Sequence, residues 1–215
     1  MKTITIMLVL IILLASHSLP AQTHIGLTAG ASFANVTMKA EGISISPKAN
    51  TGITGGIFVD VPLSTGFSFQ PALNFVQKGF KTTDETSSDK LILNYLEAPL
   101  NFVYHNSGFF IGAGPSVSYG LSGKEKYVDK EDASQSENTK ITFGSGEEEI
   151  KKIEFGVNAL AGYRTSGGFM FSVNYNLGLT DIQNTDEDDL FGIGTVKNKY
   201  FALKIGYILN STKRK

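Results

Sequence analysis

Phe169-Met170-Phe171-Ser172-Val173-Asn174-Tyr175-Asn176-Leu177-Gly178-Leu179-Thr180 is the stretch on which the fold turns. Phe169, Phe171, Val173, Tyr175, Leu177 and Leu179 fall on one side of an extended chain, with Ser172, Asn174, Asn176, Gly178 and Thr180 on the other. Successive side chains of a strand point to opposite faces, so this segment has one greasy face and one small, polar face. The last strand repeats the split, with Phe201, Leu203, Ile205, Tyr207 and Leu209 against Lys204 and Gly206. So does the first, where Ile25, Leu27, Ala29, Ala31 and Phe33 oppose Gly26, Thr28, Gly30, Ser32 and Ala34. Ile53, Ile57, Val59 and Val61 stand likewise against Thr54, Gly56 and Asp60. In all, the period-two pattern predicts strands at 25–37, 51–61, 66–80, 90–104, 108–120, 151–165, 168–180 and 197–210. A one-residue slip would turn Lys204 into lipid, at a cost of roughly 2 to 4 kcal/mol near the midplane.

Eight such segments predict an all-β fold, an eight-stranded antiparallel up-and-down transmembrane β-barrel of the outer-membrane type. Run alternately up and down, the strands sort their outward aromatics into two levels. Phe67, Phe69, Tyr104, Phe109, Tyr163, Phe169 and Tyr207 lie beside the short turns or the C-terminus, and Phe33, Phe75, Tyr119, Phe155 and Phe201 toward the long connections. Two aromatic belts are what two membrane interfaces demand. A soluble sandwich or lipocalin-like barrel would also alternate, but its outer face would be polar. The short turns at 62–65, 105–107 and 165–167 then face the periplasm, and the connections 38–50, 81–89, 121–150 and 181–196 face outward. Thirteen of the twenty acidic residues lie in the last two of these, so an external partner is expected to meet an acidic surface first.

Lys2, the apolar block from Ile4 to Ala15, and Ser18-Leu19-Pro20-Ala21 read as a secretory signal peptide, residues 1–21, cut before Gln22. The apolar block falls short of the ~20 residues of a spanning helix. Residues 22–210 are expected to form the barrel and 211–215, ending Lys213-Arg214-Lys215, a basic tail. With no cysteine there is neither a lipid anchor nor a disulfide framework, and stability must come from strand closure and packing. The net charge of −1 lacks the basic excess that nucleic-acid binding calls for. Mean hydropathy near zero is how a barrel hides its membrane character, since only every second residue meets lipid.

Tyr95-Leu96-Glu97-Ala98-Pro99-Leu100 resembles the Tyr-Leu-Glu-x-Pro-Leu signature of the PorT-like outer-membrane β-barrel proteins of the Bacteroidetes. Gly112-Ala113-Gly114-Pro115 fits the same family's Gly-x-Gly-Pro segment. Phe155-Gly156-Val157-Asn158, Ala161-Gly162-Tyr163-Arg164 and Tyr175 through Thr180-Asp181-Ile182 look like its paired sixth and seventh strands. The resemblance implies an eight-stranded, porin-like barrel in the outer membrane of a Gram-negative bacterium, with no general activity attached. The secretion role of the named member is not encoded in any of these motifs. Many such barrels finish on a terminal aromatic, whereas this chain runs on past Tyr207.

Glu97, Asn101, Glu154, Arg164 and Lys204 fall on inward positions and form the candidate polar network of the lumen. Eight strands leave an interior about wide enough for side chains, so these groups should pair, Glu97 with Arg164 or Lys204. They make either a packed plug that fixes register or a gated proton or ion path. Glu147-Glu148-Glu149 and Asp186-Glu187-Asp188-Asp189 lack the alternating ligands and central glycine of a calcium loop and read as solvated charge. Once the signal is gone, only His24 and His105 remain for acid–base work, both on the periplasmic side, and neither has a triad partner nearby in sequence. Gly112-Ala113-Gly114 lies on a strand rather than at a strand-to-helix turn, so it is not a phosphate loop. The sequence therefore predicts a monomeric structural or recognition barrel, with no catalytic residues, no cofactor and no metal. Its expected partners are outer-membrane lipid, lipopolysaccharide and an extracellular or envelope protein. A small-solute channel, a secretion-associated envelope component and an outer-membrane lipid hydrolase are the alternatives.

Overall fold

In the computed structural model, the described residues are 23–40, 43–132, 134, 136–146, 149–184 and 194–209. The expected signal peptide, the basic tail and the run 186–189 lie outside them, as do Glu147 and Glu148. Eight long strands make the wall: β1 (His24–Ala40), β2 (Lys48–Ser64), β3 (Phe67–Thr83), β4 (Ser87–Asn106), β5 (Phe109–Asp129), β6 (Ile153–Arg164), β7 (Phe169–Gly178) and β8 (Thr195–Ile208). Each pairs antiparallel with its chain neighbours, and β8 returns to β1 in a register running from Gly26↔Ile208 to Lys39↔Thr195. The sheet is thus a closed up-and-down ring, as the alternation demands.

Outward side chains match the expected lipid face. Ile53, Phe109, Ile111 and Ile205 are all more than 60 % exposed, an arrangement that water would penalise and hydrocarbon does not. At the short-turn end a cross-strand Phe–Tyr pair ties each short-turn hairpin to the strand that follows it: Phe67–Tyr104 at 4.9 Å, Phe109–Tyr163 at 4.9 Å and Phe169–Tyr207 at 5.0 Å between ring centroids. Phe33 and Phe201 meet at 6.1 Å toward the other end.

The turn between β4 and β5 is the two residues Ser107 (φ 51°) and Gly108 (φ 89°). Both sit at positive φ, as the tight turns that match strand twist require. A Cβ on Gly108 would stand 2.8 Å from the Tyr163 ring and 2.9 Å from the Arg164 carbonyl oxygen, so glycine is needed for space as well.

The strand ends depart from expectation at the long-connection end. β3 and β4 run on to a tight turn at 84–86, where an open connection was expected over 81–89. β5 continues through Asp129, and Glu137–Ile141 turns back onto it, so much of the expected loop 121–150 is sheet. β4 and β5 have 20 and 21 residues, whereas roughly 9–11 cross a bilayer, and the excess stands beyond the membrane as a projecting sheet. Ile43–Ile45 likewise folds back on the end of β1.

Two apolar clusters are packed inside the ring. Phe58, Val103, Phe110, Leu160, Met170 and Ile208 fill the short-turn end. At the other end Val36, Met38, Leu91, Leu93, Tyr95 and Tyr200 pack with Ile150 and Ile182, which come from the long connections, and with Phe143 at their margin. The lumen is therefore not polar throughout, because β4 turns Leu91, Leu93 and Tyr95 inward together.

Candidate functional site: a charged layer in the lumen

Between the apolar clusters lies a layer of polar side chains, centred on Lys78 of β3. Its ammonium is 3.1 Å from Glu97 Oε2 on β4 and 3.1 Å from Glu154 Oε1 on β6. All three side chains are 1 % exposed. The two carboxylates are held from other sides as well. Ser118 Oγ, which accepts from Lys78 at 3.0 Å, donates to Glu97 Oε2 at 3.1 Å, and Tyr200 donates its hydroxyl to Glu97 Oε1. Asn198 donates to Glu154 Oε2 at 2.8 Å. The Lys78 ammonium also lies 4.8 Å from the Tyr95 ring centroid and 5.6 Å from that of Tyr200, where the ring faces attract a desolvated cation. Buried charge is tolerated only when paired and hydrogen-bonded, and every charge of this triad is both.

The five residues of the sequence-predicted network are distributed over three levels. Glu97 and Glu154 meet at Lys78. Asn101 accepts from Asn158 at 3.0 Å, with Asn176 donating to Ser116 at 2.8 Å nearby in the same layer. Lys204, 6 % exposed, borders a cavity of about 30 Å³ with Thr28, Gln70, Asn74, Asn101 and Asn174. That volume holds a water or two. Arg164 is at the short-turn mouth, 3.6 Å from Asp60 Oδ2. The expected pairing of Glu97 with Arg164 or Lys204 is thus corrected: Lys78, on the adjacent strand β3, is its ion-pair partner. Lys78 was legible by parity, two positions beyond Val76 and four beyond Asn74 on the inward face of β3 and inside the expected strand 66–80, but it was not among the residues expected in the network.

A serine, a histidine and an aspartate also come together at the short-turn mouth, which the sequence spacing did not foretell. Ser68 Oγ lies 2.8 Å and Asp60 Oδ1 3.6 Å from His105, but both approach the same ring nitrogen, Nε2. A catalytic relay needs the carboxylate on one imidazole nitrogen and the nucleophile on the other. Ser68 is moreover 3 % exposed, out of a substrate's reach.

The quoted motifs have local reasons. Tyr95 and Glu97 of the Tyr-Leu-Glu-x-Pro-Leu segment turn into the charged layer, while Leu96 and Leu100 face lipid. Of Thr180-Asp181-Ile182, the Thr180 hydroxyl accepts from Phe155 N at 3.0 Å, Asp181 Oδ1 accepts from Val196 N at 2.9 Å, and Ile182 is buried in the upper apolar cluster. The connections before β6 and after β7 are tied to each other, Lys151 N donating to Ile182 O at 2.8 Å and Asn184 to Glu149 O at 2.8 Å.

Comparison with known proteins agrees with this architecture. The model of the outer membrane protein beta-barrel domain matches residues 16–184, which takes in every wall strand except the closing β8. Neisserial surface protein A is similar in structure, with a TM-score of 0.51 at 11 % identity, over 85 % of this chain and 96 % of that one. The attachment invasion locus protein Ail of Yersinia pestis matches with a TM-score of 0.46 at 13 % identity, over 86 % and 98 % of the two chains. No curated protein matches the sequence. With the ring closed, the outer face apolar and most of the chain matched, this protein belongs to the outer membrane protein β-barrel domain family and is a barrel of the Gram-negative outer membrane.

Proposed function

We propose that this barrel is a non-conducting scaffold that displays a recognition surface outside the cell. The filling of its interior carries the reading. Apolar side chains pack at both ends, the Lys78–Glu97–Glu154 layer lies between them, and the cavity beside Lys204 measures only about 30 Å³, a packing that supports an interior without a continuous water path. Lysine bound between two carboxylates locks β3, β4 and β6 in one register, so the layer serves as a plug.

The chain is a PorT-like member from the Bacteroidetes, exported through a cleaved signal of residues 1–21 and inserted as a monomer. Its short turns face the periplasm, and the projecting sheet and long connections face outward, where they meet lipopolysaccharide and an extracellular or envelope protein. It is not an enzyme, a reading supported by the one-nitrogen geometry at His105. The deciding experiment is single-channel conductance of the folded barrel in a planar bilayer, folding being verified by heat-modifiable gel mobility. The expected record is silent. Steady openings that scale with salt and change with Glu97→Gln would establish a channel instead.

A further inference from the structure

The projecting sheet carries opposite charge on its two faces. Register places Lys48 opposite Lys81, Lys81 opposite Lys90, and Lys90 opposite Lys126, one row across four strands. Lys124 stands opposite Lys140 in the adjoining row. Directly opposed residues share a face, and this is the outward one, continuous with Phe75, Leu96 and Tyr119 below. Asp89, Glu125 and Glu137 alternate with these lysines along the same strands and therefore lie on the opposite face, the one toward the barrel axis. None of the six lysines forms an ion pair among the described residues. The basic band continues round the barrel on β8 and β1, where Lys199 and Lys197 lie two and four residues above Phe201, and Lys39 six above Phe33. Of the acidic residues expected to meet a partner first, Glu125 and Glu137 thus lie on the inward face of the sheet, and its lipid side is basic.

Like charges set directly opposite one another destabilise a sheet, and an anion held between the four lysines of this row would relieve that repulsion. Their height says which. Lys90 is six residues above Leu96, about 20 Å along the strand and about 14 Å above the aromatic level at a tilt near 45°. The polar layer of a phospholipid leaflet is only about 5–8 Å deep. We infer that this lysine band binds the phosphate groups of the outer-leaflet glycolipid, whose headgroup is tall enough to reach it. The band rests on the outward orientation proposed above, and it collars the barrel in lipid as well as marking its outer edge.

The test uses the full barrel folded into phosphatidylcholine vesicles, with or without a phosphorylated lipid A glycolipid, and reads the temperature at which the compact gel band converts to the unfolded one. Wild type is expected to shift upward with the glycolipid. The variant Lys81→Gln, Lys90→Gln, Lys124→Gln, Lys126→Gln should lose most of that shift, yet be at least as stable as wild type in phosphatidylcholine alone, because its repulsive pairs are gone. Salt at about 1 M, where charges are screened within about 3 Å, should also remove the shift. Equal shifts in variant and wild type, an undiminished shift with dephosphorylated glycolipid, or the same shift from inorganic phosphate at matched concentration would each overturn the proposal. A conducting barrel would sink the scaffold reading and leave this result standing.

Discussion

Lys78 is the residue on which the interior depends. Replacing it by Met leaves two buried carboxylates facing each other, and removing one partner of a buried ion pair costs about 3–5 kcal/mol. Urea unfolding in lipid, followed by far-ultraviolet circular dichroism because the chain has no tryptophan, should show that loss, and adding Glu97→Gln should recover part of it. Arg164→Gln should cost under about 1 kcal/mol in the same assay, its partner being 3.6 Å away and its own side chain 31 % exposed. Asp84 shapes the turn between β3 and β4. The Ser87 backbone N–H at 2.7 Å, helped by the Ser87 hydroxyl and Thr86, holds its carboxyl below 3.8. A depressed carboxylate contributes order that is present above its unfolded value and lost as pH falls through the folded one. The Thr86 and Ser87 amide resonances should therefore stay put down to about pH 4 and move only below it.

Hairpins are the unit at the next scale, and their turns differ in what they tolerate. Gly108→Val should cost about 1–3 kcal/mol, since φ of 89° is strained for a branched residue and Tyr163 occupies the space. Gly167→Ala, in the next short turn, should change stability by less than about 0.5 kcal/mol, because the nearest atom to its Cβ would be Thr165 Oγ1 at 3.9 Å. Both are read from urea midpoints. The membrane part of every strand was legible, because a lipid face and a crowded interior impose opposite hydropathy on alternate residues. The projecting parts of β4 and β5 were not, since water lies on both sides of them. There the period of two survives in the sign of the charge, Asp89 in and Lys90 out, Glu125 in and Lys126 out, and hydropathy does not register it. A deletion that starts at residue 124 therefore cuts a paired strand, whereas one of residues 130–136 spares every wall strand and should leave the barrel's gel mobility unchanged.

At the scale of the whole molecule, the candidate site was half legible. Parity alone put Glu97, Asn101, Glu154 and Lys204 inside, but which groups meet depends on stagger around the ring, and that is a property of closure rather than of any one strand. The apolar caps were hidden for the same reason, since Ile150 and Ile182 reach the mouth from connections far apart in sequence. Closure also sets a timetable. Leu27 pairs with Ile57 on one side and with Tyr207 on the other, so until β8 is available β1 and β7 each present a full row of unpaired amides and carbonyls. A bilayer cannot hydrate such edges, so a chain lacking β8 has no half-inserted resting place. For this barrel, keeping the exported chain unaggregated and delivering it whole to the membrane are one requirement, written into the pairing of its first strand with its last.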